Sequence, residues 1–187
     1  MRKATFVIMA LGYTLLAAAL IFLSSLLMWK SAMAGERPAM AEARIIDASG
    51  RAAGMAVLTE GHDGVWIAFN LHGLPPGAHA LHIHAAGKCE PPFKTAMGHF
   101  NPFQRKHGLK NPEGSHAGDL PNVLVGPDGT AAGVRLAPLV TLGEGKNSLF
   151  QPEGTAIVIH QDPDDHMTDP AGAAGPRIAC GVIMKAQ

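Results

Sequence analysis

The chain has 187 residues, of which 47% are hydrophobic and only 5% aromatic, with 22 glycines and 14 prolines. Fifteen basic residues balance fifteen acidic ones, and a formal net charge of zero argues against nucleic acid as a partner. What remains beyond an apolar leader is about one domain's worth of chain, and its composition suits short strands joined by many turns.

Arg2 and Lys3 precede an uncharged apolar run from Thr5 to Trp29, followed by A-M-A at Ala32–Ala34 and again at Ala39–Ala41. A charged start, an apolar stretch and an A-x-A site are the plan of a secretory signal. The run is longer than an ordinary signal core, however, and long enough to cross a bilayer as a helix. Residues 1–34 are therefore expected to be a signal peptide or a membrane anchor. In the second case one N-terminal hydrophobic helix, residues 5–29, sits in the inner membrane. Residues 35–42 read as a linker and 43–187 as the folded domain. Either way Arg2 and Lys3 stay inside and the domain belongs in the periplasm.

Ala43–Asp47 and Met55–Thr59 read as strands parted by the turn residues Ser49–Gly50. Gly61-His62-Asp63-Gly64 reads as a hairpin turn, and Val65–Leu71 alternates, with Val65, Ile67 and Phe69 on one side. His62 and His72, at strand ends, are expected on the surface. Pro75-Pro76-Gly77 interrupts the pattern before a strand over Ala78–His84. From Ala85 to about Pro121 no period is visible, and a structureless stretch of that length inside a domain is normally functional. Val123–Val125, a turn at Gly126–Gly129 and Gly133–Leu136 follow, then the β-branched strand Thr155–His160. A second loop, Gln161–Pro176, carries Asp164, Asp165 and His166 before the closing strand Arg177–Met184. Seven or eight short strands and two long loops predict an antiparallel sandwich or barrel.

Six of the ten histidines fall between His79 and Asp119. His82 and His84 are two apart, so on a strand both imidazoles leave the same face. His99, His107, His116 and Asp119 follow in a Gly- and Pro-punctuated loop, and His160 ends a later strand. These are seven ligands, one short of the eight that two four-coordinate metals need. A deprotonated imidazole can bridge two metals through its two nitrogens, and His99 is placed for that role between the two groups. The all-nitrogen set His82, His84, His99 and His160 suits copper(II). The mixed set His99, His107, His116 and Asp119 suits zinc. Cys89 and Cys180, both in the exported part, read either as a disulfide or as two buried thiols.

G-A-H-A-L-H-I-H-A-A-G-K-C, G-H-F-N-P, H-A-G-D-L-P-N and G-x-R-I-A-C-G-V-I resemble the signatures of the copper/zinc superoxide dismutase family, in particular its exported bacterial branch. The resemblance runs from Ala43 to the C-terminus and implies an all-β, eight-stranded antiparallel Greek-key barrel with two long loops. It implies copper on His82, His84, His99 and His160, zinc on His99, His107, His116 and Asp119, and a Cys89–Cys180 disulfide. It also gives roles to Arg177, as the arginine beside copper, and to Asp164, as the carboxylate linking the far nitrogens of His82 and His107. His79 matches a histidine that braces the loop without binding metal, and His166 matches nothing and is expected to be exposed. The implied activity is conversion of superoxide to oxygen and hydrogen peroxide, with Arg177 and His99 as the working residues, in a monomer or homodimer. The alternative is a non-catalytic periplasmic copper/zinc-binding protein on the same fold. The chain departs from the animal enzymes in its shorter second loop, which lacks their steering residues. Lys88, Lys94, Lys106 and Lys110 in the first loop are the substitutes to consider.

Overall fold

The computed structural model describes residues 39–186. The run Thr5–Trp29, and with it the choice between signal and anchor, lies outside the described residues. Nine strands are present among these: β1 (Met40–Asp47), β2 (Ala52–Gly61), β3 (Gly64–Leu71), β4 (Gly77–His79), β5 (Leu81–His84), β6 (Val123–Val125), β7 (Ala131–Ala137), β8 (Ala156–His160) and β9 (Arg177–Lys185). Seven form one antiparallel sheet in the order β5-β8-β9-β1-β2-β3-β7, and β4 pairs with β6. A short 3-10 turn at Lys94–Ala96 is the one helical segment described. No helix among the described residues is long and apolar enough to cross a membrane.

The expected all-β antiparallel class holds. β3 shows why: Val65, Ile67, Phe69 and Leu71 alternate inward, as a strand with a period of two must place them. They meet Ile45 and Leu58 from β1 and β2, and Ile83, Ile157 and Ile159 from the far end of the sheet, in one apolar core. β1 begins at Met40, three residues before the strand expected from Ala43. The single strand expected over Ala78–His84 is two, β4 and β5, belonging to different sheets. The break falls at Ala80, whose N–H donates to the Asp162 carbonyl and whose carbonyl accepts from the His160 N–H.

β5 and β8 are buried at every position, unlike the half-solvated strands elsewhere. Their inward residues join the main core, while their outer face is roofed by the long loops. Phe93 and Ala96 of the first loop pack there against Ala156, Val158 and Cys180 in a second small core. The Cys89–Cys180 disulfide, spanning 91 residues, fastens that roof to β9. Polar side chains under such a roof are cut off from water and must be satisfied by one another or by a bound ion.

Candidate metal centre

β5 carries its two histidines outward while Leu81 and Ile83 point into the core. The first loop then returns alongside β5 twice. His99 comes to lie opposite His84, and Asp119 opposite His82. The backbone of Ile83 ties both passes, its N–H donating to the Gly118 carbonyl at 2.8 Å and its carbonyl accepting from the Phe100 N–H at 2.8 Å. A β-carbon at residue 118 would run into the Ile83 carbonyl, so this close approach requires glycine. His160 ends β8 beside β5, cross-strand from Arg177.

The result is two groups of four buried residues, His82/His84/His99/His160 and His99/His107/His116/Asp119. One ligand atom from each member lies within 4.8 Å of those of the others, and His99 belongs to both groups. In the second group, the Nδ1 atoms of His99 and His107 stand 2.9 and 3.0 Å from Asp119 Oδ1. His116 Nδ1 lies 3.3 Å from His99 Nδ1 and 3.3 Å from the same carboxylate oxygen. In the first group, His160 Nε2 faces His84 Nε2 at 3.4 Å. His82 Nδ1 and His99 Nε2 are buried with no hydrogen-bond partner at all. Orphaned imidazole nitrogens converging in a dry pocket are costly unless something accepts their lone pairs. A metal ion does so, and the donor chemistry of the two sets fits copper(II) and zinc respectively.

Four of the nitrogens that face away are held by hydrogen bonds. His84 Nδ1 donates to the Met97 carbonyl at 2.8 Å and His160 Nδ1 to the Gly175 carbonyl at 3.2 Å. His82 Nε2 and His107 Nε2 bond the two oxygens of Asp164, at 2.8 and 3.0 Å. Asp164 thus joins one member of each group through a single carboxylate, where the resemblance places it. His79, also buried, puts Nδ1 on the His160 carbonyl at 2.9 Å and Nε2 on the Pro75 carbonyl at 2.8 Å, away from both groups.

Burial dominates the electrostatics of the first group. It pushes His82 down to about 3, His84 to about 2 and His160 to about 4, so all three imidazoles are neutral and ready to ligate. His99 is lowered for the same reason, although Asp119 works against it. Burial also opposes a charge on His107, but hydrogen bonds to Asp119 and Asp164 outweigh it and raise that ring to about 9. Burial disfavours the charged forms of Asp119 and Asp164 too, yet the histidines around them hold both carboxyls well below their usual range.

Arg177 is half-buried at the edge of a cleft of about 510 Å³ that Lys94, Met97 and Gly175 also line. Its two terminal nitrogens donate to the Phe93 and Met97 carbonyls, each at 2.5 Å. Met97 and Phe93 take positive φ to present those carbonyls. Of the four loop lysines, Lys88 pairs with Glu153 and Lys106 with Glu113, Lys110 does not line the cleft, and Lys94 is the one placed beside Arg177 in it. His62 is exposed as expected. His166 is not: its side chain is 14% exposed and its Nδ1 lies 3.4 Å from Asp164 Oδ2, because a positive φ folds the ring back over the carboxylate. Gly172, invisible to the sequence reading, lies under the Asp164–His107 pair, where any β-carbon would strike both.

The model of the copper/zinc superoxide dismutase family matches residues 52–183 of this chain. The chain is similar to superoxide dismutase [Cu-Zn] 2 of Aquifex aeolicus, 56% identical over 146 residues that cover 76% of this chain and 85% of that one. It is also similar to superoxide dismutase [Cu-Zn] of Caulobacter vibrioides, 44% identical over 72% of this chain and 79% of that one. Among solved structures, the crystal structure of a SOD-like protein from Bacillus subtilis superposes with a TM-score of 0.74 at 37% identity, covering 76% of this chain and 97% of that one.

Proposed function

The chain belongs to the copper/zinc superoxide dismutase family, and from that premise we propose that it disproportionates superoxide, two O2•− and two protons giving O2 and H2O2. The observation that carries this reading is the pair of buried four-residue groups sharing His99. In it His82, His84, His99 and His160 would hold copper, and His99, His107, His116 and Asp119 would hold zinc. Copper would supply the one-electron chemistry, and zinc would order the loop that carries His107, His116 and Asp119.

The rest is done by the chain. The guanidinium of Arg177, pinned by two carbonyls, holds a fixed positive charge at the cleft, and Lys94 adds a second at its rim. A small anion is drawn to that mouth and oriented there. The roof of loop and disulfide keeps bulk water from the imidazoles, so charge at the mouth is weakly screened. His99 Nε2, buried and without any other partner, is the atom that holds a proton between the two half-reactions and delivers it to the reduced substrate. Asp164 keeps His82 and His107 in the tautomers that turn Nδ1 toward the metals.

A metal carrier on the same fold would be free to lose a copper ligand or Arg177, and this chain has every one of them. The N-terminal run supports export to the periplasm, with residues 5–29 tethering the domain to the inner membrane. The activity is tested by superoxide decay with the full-length chain loaded with copper and zinc. Catalysis is expected, with Arg177→Glu falling well beyond tenfold and Arg177→Lys much less. Equal rates for all three proteins at low ionic strength would remove Arg177 from substrate capture.

A further inference from the structure

The outer face of an antiparallel sheet normally alternates polar residues against the buried ones. On β2, β3 and β7 the middle of that face is apolar instead. The outward positions carry Met55, Val57 and Thr59 on β2, Trp66, Ala68 and Asn70 on β3, and Ala132, Val134 and Leu136 on β7, none of them charged, and the charged residues Glu42 and Arg44 of β1 border the patch beside Val57 and Met55. The register brings them side by side: Val57 faces Ala68, which faces Val134, and Trp66 faces Leu136. Met55, Trp66 and Val134 are 45%, 46% and 51% exposed, so the apolar area is open to its surroundings. The nearest charge on the core side of β7, Arg135, is turned away onto the Phe69 ring and the carbonyls of Pro121 and Asn122. Contiguous exposed apolar area of this kind marks a docking surface.

The place where the chain enters the domain says what covers it. Met40, at the start of β1, is level with Thr59, which is level with Trp66 and through it with Leu136. With strands about 4.8 Å apart, Trp66 lies roughly 10 Å along the same row from the point of entry. Nine residues, Lys30–Pro38, separate the apolar run ending at Trp29 from Ala39, a reach of about 30 Å at most. We infer that the β2-β3-β7 face rests on the phospholipid surface of the membrane that holds residues 5–29, with Trp66 in the headgroup region. This rests on the tethering reading above. A tether that short raises the effective concentration of the face at the bilayer to the order of millimolar, so a weak docking surface suffices. An exposed tryptophan beside methionine and valine has the composition of an interfacial contact. The copper-ligating strands β5 and β8 stand at the other end of the strand order from β7, so docking leaves the cleft of Arg177 free.

The chain has two tryptophans, Trp29 and Trp66, so Trp29→Phe makes Trp66 the sole reporter. That full-length variant is reconstituted into phosphatidylethanolamine/phosphatidylglycerol vesicles carrying a lipid spin-labelled near the headgroup. Vesicle sedimentation and superoxide decay are followed in parallel. The expected result is co-sedimentation with emission of Trp66 quenched about twofold. Val134→Lys should relieve the quenching while sedimentation and activity stay unchanged. Co-sedimentation without quenching would overturn docking and leave the tether standing. Failure to co-sediment would overturn the tether and docking together. Protection of Trp66 that depends on protein density rather than on lipid would assign the face to a second copy and overturn the lipid assignment.

Discussion

Asp164 is the residue on which the two histidine groups meet, since one carboxylate holds both His82 Nε2 and His107 Nε2. Removing a carboxylate behind a ligating histidine costs about 10–100-fold in metal affinity, because the ring loses both its tautomer and its orientation. Asp164→Asn is expected to weaken zinc binding by that factor, measured by chelator competition on the full-length chain. Gly172→Ala should act in the same direction, because its β-carbon would collide with Asp164 and the His107 ring at a positive φ. Unchanged zinc affinity in both variants would strip the carboxylate of its organising role. At this scale the members of the two groups were readable, because imidazoles and a carboxylate announce their chemistry by type and spacing. Gly172 and the folded-back ring of His166 were not. A glycine is needed there for the absence of a side chain, and His166 is positioned by its backbone; neither leaves a mark in the residue pattern.

The strands that carry the centre owe their burial to what covers them. β5 and β8 read in the sequence as a histidine-bearing strand and a β-branched one; β8 starts one residue inside its expected bounds, and β5 is the second part of the strand expected over Ala78–His84. The break between β4 and β5 was missed, since Ala80 has no turn propensity and only its bonds to the second loop and to β8 create it. The pairing of Cys89 with Cys180, left open by composition and implied by the family resemblance, is present. It secures the turn whose Phe93 and Met97 carbonyls hold Arg177, so the arginine's position is built from backbone atoms of a distant loop. Backbone acceptors have no residue identity, which is why that cradle could not be seen in advance. Met97 serves twice, its carbonyl accepting from Arg177 and from His84, so the cleft and a candidate copper ligand move as one unit.

For the molecule as a whole, the metal-free domain carries its titration in the fold. His82, His84 and His160, pushed by burial to about 3, 2 and 4, take up protons far more readily once unfolded. Their folded values lie below the ordinary 6.5, so stability present above pH 6.5 is lost as pH falls toward 4 and below. His107 has the opposite sign: raised to about 9, it contributes stability below 6.5 that is lost as pH rises through 9. The melting temperature of the metal-free full-length chain is therefore expected to peak near pH 6.5, with the acid side steeper because these three histidines and His99, lowered in the same direction, act there against one. Thermal unfolding monitored by circular dichroism checks this, and a melting temperature that rises from pH 6.5 to pH 4 would contradict it. Seven side chains serve two metals only if His99 is shared, and the shared imidazole is tested most directly by filling both positions of the full-length chain with Cu(II). An imidazolate of His99 between them couples the two spins. The paramagnetic resonance intensity near neutral pH should then fall far below that of two coppers and recover in His99→Ala. Full two-copper intensity in the unaltered chain would show that no imidazole joins the two sites.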